Sequence, residues 1–250
     1  MAGLIFQFKE VLDELDSFYR LADDFIAPEA RQVLPQFKGA LEGYREQPTK
    51  QKYYWQIPSQ NPLRTVVSRG DYEVGGHGAL NVFAEIDACW CIRRIPERKR
   101  STPARQFVLE GIASTRVRVW CEASDREPKK EIAMWRMEVG DDASPGCHFH
   151  VQILGEHAHE PFPNSLSVPR LPGLILTPAA VVEFVLAELF QEAWARHVSH
   201  DSEPLNRWAP IQAKRFKRLL EWNLGVLRQN SGSPWTTIKR QKPYSKLFVA

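Results

Sequence analysis

The stretch 80–94, LNVFAEIDACWCIRR, constrains the fold more than any other part of the chain. Leu80, Val82, Ala84, Ile86, Ala88, Trp90 and Ile92 alternate with Asn81, Phe83, Glu85, Asp87, Cys89, Cys91 and Arg93. Side chains project to opposite faces of a strand with a period of two, whereas a helix repeats near 3.6. A long strand with one buried and one polar face is therefore predicted. The stretch 107–123, FVLEGIASTRVRVWCEA, repeats the pattern: Val117, Val119 and Cys121 oppose Arg116, Arg118 and Trp120. EIAMWRMEV (131–139) and CHFHVQIL (147–154) are two further candidates, joined through turn-rich connectors such as SDREPKK and GDDASPG. An antiparallel meander follows.

Both flanks switch to a helical period. Leu4/Ile5, Phe8, Val11/Leu12, Leu15, Phe18/Tyr19, Leu21/Ala22 and Phe25/Ile26 form one stripe, with Lys9, Asp13, Glu14 and Asp16 off it. Pro28 opens a second helix running toward Tyr44. Beyond a proline-rich connector, Thr177 is the expected N-cap of an almost wholly apolar helix with Pro178 in its first turn. A last helix is expected from Pro210 to Arg228, with Ile211, Phe216, Leu219, Leu220 and Leu227 inside and Lys214, Arg215, Lys217 and Arg218 outside. The prediction is a single α+β domain over 1–250. Residues 1–50 are helical, 53–154 form an antiparallel sheet of about four to five strands, 174–230 are helical, and 231–250 form a basic tail. The tail adds a short strand or remains an arm.

Composition narrows the class. With 43% hydrophobic residues, 8 Trp and 13 Phe the chain is no disordered segment, and a net charge of +3 does not by itself imply nucleic acid. Four cysteines in 250 residues do not make a disulfide framework. Charge at Lys9 and Glu10 interrupts any secretory core, and LPGLILTPAAVVEFVLAELF carries Pro178, Glu183 and Glu188, too polar for a clean membrane span. A cytoplasmic protein with no membrane contact is expected.

Four of the seven histidines fall between 148 and 159. Strand alternation places Cys147, Phe149, Val151 and Ile153 on the core face and His148, His150 and Gln152 on the polar face, together with Arg116, Arg118, Glu85 and Asp87 if the strands pair in sequence. His157 and His159 lie past a turn at Gly155. Two imidazoles at i and i+2 can reach one Zn²⁺, but a third ligand would have to come from Cys89, Cys91, Glu85, Asp87 or His157, and no CxxC or HExxH frame is present. Hydrogen-bonded surface histidines are the commoner outcome, and no metal or cofactor is expected.

The segment HFHVQIL has the form His-φ-His-φ-Gln-φ-φ and resembles the motif of the histidine-triad superfamily in its transferase branch. That resemblance implies His150 as a nucleophile on phosphorus, His148 as a supporting donor and Gln152 as a phosphate contact. More broadly, residues 135–190 look like an uncharacterised bacterial family of unknown function, matched at Pro145, His148, Pro169, Arg170, Thr177 and Pro178. This second resemblance implies a strand, proline turn and helix packed as one unit. It also implies a setting in mobile-element or antiphage defence gene clusters, and no particular activity.

Two segments concentrate positive charge. RRIPERKRSTPAR contributes Arg93, Arg94, Arg98, Lys99, Arg100 and Arg105 against Glu97 alone. The stretch 214–246 contributes Lys214, Arg215, Lys217, Arg218, Arg228, Lys239, Arg240, Lys242 and Lys246, interleaved with Trp222, Trp235 and Tyr244. Cations beside aromatic rings suit phosphate backbones and stacked bases, although a charged run is more often a solvated face. The leading expectation is a bacterial binding or accessory protein contacting nucleic acid or an acidic partner through Arg94, Arg98, Lys99, Arg100, Lys214, Arg215, Lys217, Arg218, Lys239 and Arg240. The alternative is a histidine-dependent phosphoryl-transfer or phosphodiester-cleaving enzyme on His148, His150 and Gln152, with Arg116 or Arg118 stabilising charge and the two imidazoles as base and acid.

Overall fold

The computed structural model describes residues 3–73, 79–96, 105–122, 128–140, 147–154, 170–174 and 177–249. Two 16-residue strands form its spine, β5 (Ala79–Arg94) and β6 (Gln106–Cys121), antiparallel with Ile86 opposite Val117 and Asp87 opposite Arg116. β7 (Lys130–Val139), β8 (Phe149–Leu154) and β9 (Arg170–Pro172) continue the sheet beyond β6. The other edge of β5 is too long for one partner. It is served in succession by β2 (Lys52–Ile57), β3 (Leu63–Arg64) and β4 (Ser68–Glu73).

Nine strands are thus present among the described residues, more than the expected four or five. The ninth is β1 (Ile5–Gln7), taken from the start of the predicted first helix. β7 pairs with β6 only from Ala113 onward, leaving an open edge at 106–108 where Ile5 lies opposite Val108. Unpaired backbone groups there select an extended conformation over the first turn of a helix. The helix proper is α1 (Phe8–Ala22), followed by α2 (Val33–Arg45).

Helices cover one face of the sheet. Val82, Ala84, Ile86, Ala88, Trp90 and Ile92 of β5 and Ala113, Val117 and Val119 of β6 are buried in one core cluster with Phe8, Leu15, Phe18, Phe37 and Leu41. Trp55 is fully buried: its ring stacks on Phe37 at 4.1 Å and its indole N–H donates to the Phe37 carbonyl at 2.8 Å. Thr177 caps α3 (Pro178–His197), accepting from the Ala180 amide. Near the end of α3 Gln191 leaves the helical region at φ 35, and the Ser68 hydroxyl donates to the Leu189 carbonyl at 2.7 Å, satisfying a group just before the break.

The last long helix, α4 (Glu203–Gln229), begins a full two turns before the predicted start. Ser202 accepts from the Leu205 amide and Pro204 occupies the first turn, whereas Pro210 lies inside the helix on its exposed side. The segment after it is no loose arm. α5 (Pro234–Arg240) leads into a stretch that buries Leu247 and Phe248, with Phe248 stacked on Phe6 and Ser245 accepting from the Ile5 amide. Among the described residues no helix is long and apolar enough to cross a membrane.

Candidate functional site

Pairing the strands in sequence order aligns the polar side chains into rows. One row runs Asp87, Arg116, Arg136 and Gln152 in register. The next runs Cys89, Ser114, Glu138 and His150, and a third places Arg64, Glu85 and Arg118 side by side. The expected company of Arg116, Arg118, Glu85 and Asp87 is therefore present. Arg116 binds Asp87 at 2.9 Å, Arg118 lies 3.7 Å from Glu85, and Lys129 reaches Glu85 at 2.8 Å. Arg136 binds Glu138 at 3.1 Å.

Arg116 and Arg136 face each other directly, an unfavourable like-charge pair. Each is compensated by a carboxylate, Arg116 by Asp87 on the neighbouring strand and Arg136 by Glu138 two residues along its own. Arg64 lies 4.1 Å from the Phe83 ring centroid and Lys129 4.0 Å from that of Trp120, so cations roof the aromatic rings of this face. The polar face is thus largely neutralised by its own residues. Alternation in EIAMWRMEV already placed Arg136 and Glu138 on one face, a signal the sequence reading did not use.

His150 is 3% exposed. Its Nδ1 lies 2.8 Å from the Cys147 carbonyl and its Nε2 3.0 Å from Glu138 Oε2. A carbonyl only accepts, so Nδ1 carries a hydrogen. Burial works to raise the Glu138 carboxyl, but the His150 hydrogen bond and the Arg136 charge hold it below its ordinary value. In this geometry both ring nitrogens are engaged, and the ring cross-links β7, β8 and the Cys147 carbonyl.

His148 has different surroundings. It sits in the bend before β8, edge-on to Phe149 at 5.1 Å, with its carbonyl accepting from the Gly140 amide. It lines a cleft with Glu110, Arg93 and Lys242. His157 and His159, together with Pro145 and Pro169, lie outside the described residues. Among the described residues no group of three His, Cys, Asp or Glu side chains is placed to hold a metal ion.

The basic segments separate sharply. Arg98, Lys99 and Arg100 lie outside the described residues, while Arg94 donates to the Gln47 carbonyl at 3.2 Å. On α4 the buried stripe is Trp208, Gln212, Arg215 and Leu219, a spacing of four, three and four. Arg215 is therefore not on the outer face. It is 2% exposed and binds Glu14 and Glu10 of α1, and the tertiary packing overrides the charge. Glu14, expected off the core stripe of α1, is fully buried as its partner, and Leu220, expected inside, is 46% exposed. Lys214 reaches Glu10 at 3.2 Å and Lys217 lies 4.0 Å from Glu221.

What remains outward is a surface built by the end of α4, α5 and the segment beyond. Arg218, Trp222, Gln229, Gln241 and Tyr244 line a groove of about 430 Å³. Beside it Lys239 and Arg240 are exposed, with no carboxylate partner among the described residues. Trp235 is 67% exposed and Tyr244 61%.

No protein-family model, curated protein or solved structure matches this chain, so the reading of both surfaces rests on their geometry.

Proposed function

We propose that this protein binds single-stranded nucleic acid through the α4–α5 surface, as an accessory or binding component with no catalytic role for the histidine strand. One observation carries the reading. Two large aromatic side chains, Trp235 and Tyr244, are held mostly in water beside Lys239 and Arg240, where the cations of the polar sheet face have acidic neighbours. Exposed rings offer stacking platforms to bases, and cations without internal partners are left to meet phosphates. The resemblance of residues 135–190 to an uncharacterised bacterial family would place such a binder in a defence or mobile-element setting.

Fluorescence anisotropy of a labelled single-stranded 20-mer, titrated with protein at several salt concentrations, tests the proposal. Saturable binding that weakens steadily with salt is expected, and reversal of Lys239 and Arg240 to Glu abolishes it. Binding indifferent to salt and to those reversals, or preference for an acidic peptide over the strand, would overturn it.

A further inference from the structure

The α4–α5 groove contains one group that a plain stacking and phosphate-binding surface does not need, a carboxylate. Along one face of α4 its lining runs Arg218, Glu221, Trp222 and Gly225, and the segment after α5 contributes Gln241 and Tyr244. These elements all lie within the unbroken described stretch 177–249.

Both aromatic rings of the groove are held from behind. Trp222 packs edge-on to Phe149 at 5.9 Å, and Tyr244 stands between buried Pro243 and the buried pair Leu247 and Phe248. Rings fixed before a ligand arrives lose little freedom on binding. Gly225 lies inside a 27-residue helix, where glycine is unfavourable relative to alanine. A Cβ there would meet nothing within 4 Å, so packing does not require the glycine. Its effect is to widen the groove.

Arg218 is half-buried, and its Nη1 is closed to water with no hydrogen-bond partner among the described residues. The one ion pair of Glu221 among the described residues is with Lys217 at 4.0 Å, between two well-exposed side chains. Exposed pairs of that kind are weak, so the carboxylate is available to a ligand. A carboxylate repels phosphate, and in a strand-binding groove its use lies with base donors. Guanine alone among the common bases offers both complements. Its O6 and N7 are adjacent acceptors for a guanidinium, and its N1–H and 2-amino group are adjacent donors for a carboxylate. Side chains three apart on a helix are neighbours, about 5–6 Å between Cβ atoms, so Arg218 and Glu221 can reach one base.

We infer, resting on the single-strand reading above, that this groove selects guanine. Trp222 and Tyr244 take the faces of the base, Arg218 donates to O6 and N7, and Glu221 accepts from N1–H and the 2-amino group.

The test is fluorescence anisotropy of the full chain with labelled thymidine 12-mers carrying a central guanine, hypoxanthine, adenine or thymine. The guanine strand binds at least about tenfold more tightly than the adenine or thymine strand. Hypoxanthine, which lacks the 2-amino group, falls between. Glu221→Ala, at an exposed side chain, removes the difference between guanine and hypoxanthine without weakening the thymine strand. Gly225→Leu fills the groove and abolishes the guanine preference, and its melting temperature does not fall, because leucine is the better helix former. The Lys239 and Arg240 reversals weaken all four strands alike. Equal, salt-weakened binding of the guanine and thymine strands would overturn the guanine assignment and leave the single-strand reading standing. A guanine preference that survives both Glu221→Ala and Gly225→Leu would also overturn the assignment. Failure of every strand to bind would overturn the two together.

Discussion

The guanidinium of Arg215 lies 2.5 Å from the carboxylate of Glu14, and neither side chain is more than 3% exposed. Glu14 also accepts from the Gln212 amide at 2.8 Å and from the Thr177 hydroxyl, so α1, α3 and α4 meet on one buried acid. Removing one partner of such a pair strands the other charge in the interior. Arg215→Ala is expected to cost about 3–5 kcal/mol, whereas Lys217→Ala on the same helix stays within about 0.5 kcal/mol. Urea denaturation of the two variants checks this, and equal midpoints would contradict a buried pair.

Glu183 on α3 lies close to the same cluster. Burial pushes its carboxyl above the ordinary 4.5, aided by the Glu14 charge and opposed by a hydrogen bond from Trp208. A raised folded-state value means the folded protein favours the protonated form. That contribution is fully present below about pH 4.5 and is lost as pH rises through the folded value. Glu183→Gln, which mimics the protonated acid, should therefore stabilise the protein at pH 8 and change little at pH 4. Thermal melts at the two pH values decide; a loss of stability at pH 8 would refute the burial argument.

Glu138 works in the opposite direction. Burial opposes its ionisation, but His150 and Arg136 hold the carboxyl below 4.5. The stability it supplies is complete above about pH 4.5 and is lost as pH falls through the depressed value. Glu138→Gln should flatten the acid limb of the stability curve, read as urea midpoints from pH 6 down to pH 3.

His150→Ala separates structure from binding. It leaves Glu138 without its closest donor and should cost about 1–3 kcal/mol of stability. Affinity for a single strand should be unchanged, since the ring is buried and both its nitrogens face Cys147 and Glu138 rather than the surface. Loss of strand binding in a folded His150→Ala protein would return the histidine strand to a functional role.

Trp235→Ala removes a ring that is two-thirds exposed. Stability should hold within about 0.5 kcal/mol. Single-strand affinity should fall by about 1–3 kcal/mol, roughly a factor of five to a hundred and fifty, in the anisotropy titration. Tyr244→Ala is expected to act in the same direction.

Much of this architecture was legible in the chain. Period-two alternation identified β5 to β8 and their inward residues, because side-chain direction in a strand is a local property. Thr177 and Pro178 announced the start of α3 for the same reason: capping chemistry acts over three or four residues. The polar face with Arg116, Arg118, Glu85 and Asp87 followed from parity once the strands were taken to pair in sequence order.

Register, partner choice and helix rotation were not local. Which carboxylate neutralises Arg116, or that Glu138 closes on His150, depends on residues from strands aligned by the whole sheet. Residues 5–7 read as helix until the open edge of β6 claimed them. Arg215 read as solvent-facing because it sits among three other cations in sequence, yet helix packing turns the 208–212–215–219 stripe inward and Glu14 supplies the counter-charge. The sequence by itself determined which residues alternate, that long helices flank the sheet at both ends and how much charge each segment carries. Only the tertiary structure decided which of those charges cancel one another and which are left facing water, because compensation depends on distances of a few ångströms between segments far apart in the chain.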